Sequence, residues 1–217
     1  MTEPVKTMDG SYTLKSERFG QFYHSFTGAV EESELKYVAP CDIRERAKKG
    51  SLKILDVCFG IGYNSAAAID AALEANPKCK IEVVALEIDE ELLNSMQKMN
   101  PPLKSYAWIK GLKNKLEFKE GNVKLKLYLG DANETIKKCK DDYFDCVFFD
   151  PFSPATNPEM WSASLLGAVR DKMGSGSILA TYSCARMVRE NLKSAGFTAV
   201  LDGPKVHRRG PGTLALP

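Results

Sequence analysis

The sequence predicts an α/β fold: a mostly parallel twisted sheet with helices on both faces. Three observations predict it. Short apolar runs alternate with helix-like stretches along most of the 217 residues, the runs at 52–57, 81–87 and 144–149 are largely apolar on both faces, and no internal repeat interrupts them. Strands without clean polar alternation belong in parallel sheets covered on both sides. Right-handed crossovers then gather every strand-to-helix loop at one edge, where ligands bind.

Taken in order, residues 43–49 read as a charged helix, and Gly50-Ser51 marks the step into the strand at 52–57. The Ala-rich stretch 64–75 holds neither Gly nor Pro and reads as a helix closed by Asn76-Pro77. A β-branched strand at 81–87 leads to a helix at 90–99, which Pro101-Pro102 stop. An insertion at 101–121, with its proline pair, Trp108 and alternating basic residues, precedes the strand Val123–Leu129 and a short helix at 132–138. Phe144–Phe149 is a buried strand followed by the Pro-rich segment 150–158. A helix at 161–172, a strand at 177–182, a helix at 185–195 and strands at 197–201 and 213–216 complete the chain. Residues 1–40 show no long period, but Phe19, Phe22, Tyr23 and Phe26 favour a packed lid or extension over a disordered arm.

Hydrophobic residues make up 44% of the chain and charged ones 27%, which excludes intrinsic disorder and suits one domain that needs no staples. Thirty basic against 28 acidic residues leave +2, excluding a broadly polycationic nucleic-acid binder but not a local basic patch. No run reaches the roughly 18 apolar residues of a membrane span, and the polar start lacks a signal-peptide core, so a cytoplasmic chain is expected. The six cysteines (Cys41, Cys58, Cys79, Cys139, Cys146 and Cys184) have no C-x-x-C spacing and read as free thiols. With only His24 and His207 in the chain, no metal is expected.

Four segments carry the chemistry. In the run from Ile54 to Asn64, a strand ends in the turn Cys58-Phe59-Gly60-Ile61-Gly62 and a helix begins. Gly60 and Gly62 would let backbone approach a ligand at a helix start, although Ser65 stands where a dinucleotide loop needs its third glycine. A bare strand–helix turn remains the alternative. Glu87, 25 residues past Gly62, closes the next strand where nucleotide sites place a ribose-binding carboxylate. Its alternative role, capping the next helix, already falls to Asp89. Asp131, in Gly130-Asp131-Ala132, reads equally as a plain N-cap and as an acceptor for a purine amine; the two are compatible. Asp150 leaves a very apolar strand into Asp150-Pro151-Phe152, a rigid turn able to aim oxygen at a reacting amine with Phe152 beside a flat ring.

Together these residues resemble class I S-adenosylmethionine-dependent methyltransferases. More narrowly, the segment from Phe149 to Trp161, with Asn157-Pro158-Glu159-Met160-Trp161, resembles the methyltransferase domain of the tRNA 5-methylaminomethyl-2-thiouridine biosynthesis protein family, MnmC. The opening Asp9-Gly10-Ser11-Tyr12-Thr13-Leu14, the pieces Tyr23-His24-Ser25 and Glu31-Glu32, and Thr181-Tyr182-Ser183-Cys184-Ala185 are similar to the same family. Pro151 departs from it, replacing a usual glycine.

The resemblance implies a Rossmann-like sheet with an antiparallel C-terminal strand, a lid at 1–40 and a methyltransferase domain at 41–217. It implies S-adenosyl-L-methionine held by Tyr23, Phe59, Gly60, Gly62, Asn64, Glu87, Asp131, Ala132 and Asp150. The expected acceptor is the 5-aminomethyl group of the tRNA wobble uridine, with Asp150 and Phe152 as the catalytic pair. The expectation is a stand-alone domain without the oxidase domain of many bacterial relatives, with an oxidase or upstream tRNA-modifying enzymes as separate partners. Lys205, His207, Arg208 and Arg209 form a dense basic cluster that reads either as a solvated turn or as a phosphate contact, with Lys205, Arg208 and Arg209 as RNA-binding candidates. The competing readings are a spermidine-synthase-like aminopropyltransferase, another small-amine methyltransferase, a dinucleotide-dependent oxidoreductase and a non-catalytic RNA-binding module.

Overall fold

A computed structural model of the chain describes residues 3–206 and 210–217; His207, Arg208 and Arg209 lie outside the described residues. Ten strands occur in chain order among these residues: β1 (Val5–Lys6), β2 (Tyr12–Thr13), β3 (Ser51–Val57), β4 (Lys80–Glu87), β5 (Glu117–Glu120), β6 (Val123–Leu129), β7 (Phe144–Phe149), β8 (Met173–Thr181), β9 (Ala199–Lys205) and β10 (Pro211–Leu216). The helices are α1 (Ala29–Ser33), α2 (Ile43–Lys48), α3 (Tyr63–Ala75), α4 (Leu92–Met96), α5 (Tyr106–Lys115), α6 (Ala132–Thr135), α7 (Ala163–Arg170) and α8 (Arg186–Ser194). A π-turn, Glu34–Val38, and 3₁₀ turns at Ile136–Lys138 and Pro158–Trp161 complete the set.

Eight strands form one sheet in the order β5-β6-β4-β3-β7-β8-β10-β9. The five central strands run parallel, and β5 and β10 run antiparallel to their neighbours, so the C-terminal strand behaves as expected. The sheet is the wall between two apolar clusters. Ile54, Ile81, Val83 and Phe148 face one, and Leu55, Leu86, Val147 and Phe149 face the other. That two-sided burial explains why these strands read as apolar runs.

Three expectations change in detail. Helix α4 is only five residues, not ten, because weak i→i+3 bonds such as Gln97 N–H to Asn94 (3.3 Å) replace a helical ladder at its end. The insertion at 101–121 contains α5 and the edge strand β5, which doubles back on β6. The helix expected at 161–172 starts instead after the 3₁₀ turn, where the Ser162 side chain accepts a bond from Leu165 N–H as its cap.

Residues 3–40 pack. Asp9 organises them: its carboxylate accepts bonds from Ser11 and from Val30 and Glu31 N–H, which starts α1. Gly28 (φ 157°) lets the chain pass, since a Cβ there would lie 2.6 Å from an Asp9 oxygen. No helix among the described residues is long and apolar enough to cross a membrane.

Candidate active site

The chain leaves β3 towards β4 on one side and later returns to β7 on the other. A crevice therefore opens beyond the carboxyl ends of these strands. A cavity of about 420 Å³ fills it, inside the roughly 300–1,000 Å³ of small-molecule sites. Cys58, Phe59 and Gly60 line it after β3; Glu87, Gly130, Asp131 and Ala132 line it after β4 and β6. Asp150, Pro151, Phe152 and Tyr182 line it after β7 and β8, and Phe19, Gln21 and Tyr23 close it from the N-terminal segment.

Glu87 is buried and holds the glycine turn. Its Oε1 accepts from Ile88 N–H (2.8 Å) and Asp89 N–H (2.9 Å), and its Oε2 accepts from Gly60 N–H (2.8 Å). Oε2 keeps acceptor capacity towards the cavity. Burial raises the Glu87 pKa from its ordinary value, and these three N–H donors oppose the shift. Asp89 receives Glu91 N–H (3.0 Å) as a cap would, and its other oxygen accepts from the Tyr23 hydroxyl (3.2 Å). Asp131 is exposed and caps α6, with Oδ1 accepting from Asn133 N–H (2.8 Å) and the Asn133 side chain (3.0 Å). The cap role is therefore real, and Oδ2 is the oxygen left to meet a ligand.

The two glycines divide their work. Gly60 (φ 57°) faces the cavity, where a Cβ would sit 3.3 Å from the Tyr23 ring. Gly62 and Asn64 do not line the cavity. Gly62 (φ 81°) is needed for packing, because a Cβ there would lie 2.6 Å from Ile109 Cγ2 and 2.7 Å from Phe59 Cζ. Cys58 adopts φ 66° with a side chain at a position that favours glycine.

Asp150 is the centre of a network not legible from spacing. The Tyr37 hydroxyl donates to Oδ1 (2.5 Å) and Asn64 Nδ2 donates to Oδ2 (2.8 Å). Ser33 Oγ donates to Asn64 Oδ1 (2.7 Å), which fixes which way that amide points. Burial pushes Asp150 up to about 7, with Glu32 adding repulsion and the Tyr37 and Asn64 bonds opposing. Behind the floor, Asp56 is wholly buried, accepts from Ser65 Oγ (2.6 Å) and leaves Oδ1 without a partner. Burial pushes it up to about 8, so it holds a proton at neutral pH.

The N-terminal segment is clasped to the loop after β7. Gln21 Nε2 donates to Ser153 Oγ (3.0 Å), and Gln21 Oε1 accepts from Ser153 N–H (3.3 Å). Phe152 packs against Phe19 (centroids 4.9 Å apart) and Tyr23 (5.1 Å). Trp161 Nε1 donates to the Phe152 carbonyl (2.9 Å) and the Tyr182 hydroxyl to the Pro151 carbonyl (3.0 Å). Of the basic cluster, exposed Lys205 ends β9, the outermost strand, on the same side of the sheet as the cavity.

A crevice at a sheet's switch point, rimmed by acids with a glycine turn beneath, defines a nucleotide-cofactor enzyme. A family model described as S-adenosyl-L-methionine-dependent methyltransferase matches residues 93–216. The chain belongs to that family, and S-adenosyl-L-methionine is its cofactor. The solved structure of MnmC2 from Aquifex aeolicus is similar over the whole of this chain and 70% of its own, at 36% identity and a TM-score of 0.87. The bifunctional MnmC of Delftia acidovorans is 30% identical over 95% of this chain and 34% of its own length. An uncharacterised protein of Methanocaldococcus jannaschii is 34% identical over 97% of this chain and 58% of its own. The chain thus spans between a third and three fifths of these two relatives' lengths. Spermidine synthase from Thermotoga maritima shares the fold alone, at 10% identity and a TM-score of 0.58.

The residues fit the cofactor. Glu87 Oε2 and Asp131 Oδ2 are acceptors with capacity left for hydroxyl and amine donors, and the acid-rich wall suits a sulfonium cation.

Proposed function

We propose that the chain methylates the primary amine of a 5-aminomethyl group on the wobble uridine of tRNA. The reading rests on one observation above all: the Asp150 carboxyl, gripped by Tyr37 and Asn64, shares a single cavity with Glu87. Glu87 holds the ribose hydroxyls of the cofactor, Asp131 its adenine amine, and Gly60 and Phe59 lie along it. Tyr23 and the other residues of 1–40 form the lid; 41–217 form the methyltransferase body. Support for the substrate comes from the similarity to MnmC proteins, whose names specify tRNA 5-methylaminomethyl-2-thiouridine biosynthesis.

When bound, the cofactor supplies a methyl group activated on sulfur, whose C–S bond breaks as the N–C bond forms. An aminomethyl group is mostly protonated near neutral pH. Asp150 takes one N–H proton, which exposes the nitrogen lone pair, and later releases that proton to solvent. A base titrating at about 7 is poised for this exchange. Phe152, with Phe19 and Tyr23, supplies an apolar wall for the uracil ring and excludes water from the reacting pair. Lys205, Arg208 and Arg209 hold phosphates of the tRNA.

The test is Asp150→Ala assayed on tRNA bearing 5-aminomethyluridine. Calorimetry should show cofactor binding retained, while turnover falls by about 10²–10⁴. Undiminished turnover removes Asp150 from the mechanism, and transfer to putrescine instead of tRNA would replace the substrate.

A further inference from the structure

Asp150 does not hold its carboxylate in place unaided. Its backbone is fixed by the N–H bond to the Val57 carbonyl (3.1 Å) and by Pro151 after it. Its side chain is fixed by two donors that come from distant parts of the chain, Tyr37 to one oxygen and Asn64 to the other. Tyr37 is itself immobile. It is 1% exposed, packs edge-on against Phe148 with centroids 5.6 Å apart, and sits in a π-turn, a wide turn found often at functional sites. The preceding residue anchors that turn, since buried Lys36 donates to the carbonyls of Pro204 (3.1 Å) and Gly210 (2.9 Å). Burial keeps the Tyr37 phenol far above its ordinary pKa, so the hydroxyl stays a donor throughout the working range.

We infer that Tyr37 is a positioning residue for the reaction: through its hydroxyl it sets the plane of the Asp150 carboxylate, with Asn64 and Ser33 completing the brace, so that the remaining acceptor capacity meets the amine. The inference rests on the reading of Asp150 as the group that takes the proton. Each brace bond favours the charged carboxylate and opposes the cost of its burial. Other ionisable groups also face Asp150. They are Glu32 from the N-terminal segment, Asp56 and Cys58 from β3 and the turn after it, and Tyr182 after β8. None of them donates a hydrogen bond to either oxygen among the bonds of the described residues; only Tyr37 and Asn64 do.

The experiment measures kcat and KM against pH for the full chain, alongside calorimetric cofactor affinity. Tyr37→Phe should keep cofactor affinity within about twofold and lower kcat by at least about tenfold at pH 7. It should also move the pH of half-maximal kcat upward by about one unit, the worth of one charge-assisted bond. Ser33→Ala, which frees the Asn64 amide and gives up a bond to the Ala29 carbonyl (3.1 Å), should give a smaller shift in the same direction and decides the matter if Tyr37→Phe fails to fold. A pH profile superimposable on the parent's, in a variant that binds cofactor normally, overturns the inference. So does a loss of turnover that merely parallels a loss of cofactor affinity. Asp150→Ala separates the two readings. Full activity there defeats the proton-acceptor role, whereas an inactive Asp150→Ala beside an unshifted Tyr37→Phe defeats the positioning role alone.

Discussion

Asp56 offers a direct measure of what the floor of the cavity costs. Burial moves its pKa from the ordinary 3.8 to about 8. Between those values the folded protein holds a proton that the unfolded chain has released, so this group makes stability fall as pH rises. At 1.36 kcal/mol per unit, the loss accumulated by pH 8 is about 5 kcal/mol. Asp150, pushed up to about 7, adds a second downward slope that ends near neutrality. His24 works the other way: burial pushes it down to about 4, so its contribution is lost as pH falls below 6.5. The ligand-free protein should therefore lose stability from pH 6.5 to 8. Asp56→Asn should flatten that fall and gain at pH 8, despite leaving one buried amide nitrogen short of a partner at about 1–3 kcal/mol. For a chain of this length each kcal/mol is worth about 2–4 °C of Tm. Denaturant melts of parent and variant at pH 5, 6.5 and 8 would read the slopes. A variant curve parallel to the parent's would mean that Asp56 carries no proton and that the reasoning about its burial is wrong.

Glu87 bears on cofactor binding. Burial raises its pKa, and a cation entering the cavity favours its charged form, so binding of S-adenosyl-L-methionine should release protons, measured by calorimetry in buffers of different ionisation enthalpy; a buffer-independent enthalpy would refute the coupling. Cys58→Gly should relieve the φ of 66° and raise stability by about 0.5–1 kcal/mol; a fall in Tm would show that the thiol packs usefully. Replacing Lys205, Arg208 and Arg209 by alanine should weaken tRNA binding and reduce the salt slope of log K by about 0.7 per lost phosphate contact, with turnover at saturating tRNA preserved.

Much of the framework was readable in advance because burial wrote it locally. Phe144–Phe149 reads as a strand from its own composition, and the adjoining Asp150-Pro151 turn follows from proline's fixed geometry. The placement of Glu87 and Asp150 at one edge follows from handedness. What escaped was set by distance along the chain. Tyr37 meets Asp150 across 113 residues and Gln21 meets Ser153 across 132, and no local period marks either pair. A π-turn does not repeat at 3.6 residues, so its inward positions, Lys36 and Tyr37, carry no helical signature in the sequence. The Gly60–Gly62 pair was legible as a turn, yet only coordinates separate the glycine that faces the cavity from the one that admits Ile109.

The strand order has a consequence for biosynthesis. Residues 211–216 slot between two strands made before them, so until they leave the ribosome β8 and β9 each present an unpaired backbone edge. Such edges recruit other chains. A nascent polypeptide stalled before residue 211 would carry nearly the whole cavity wall and still be prone to clumping.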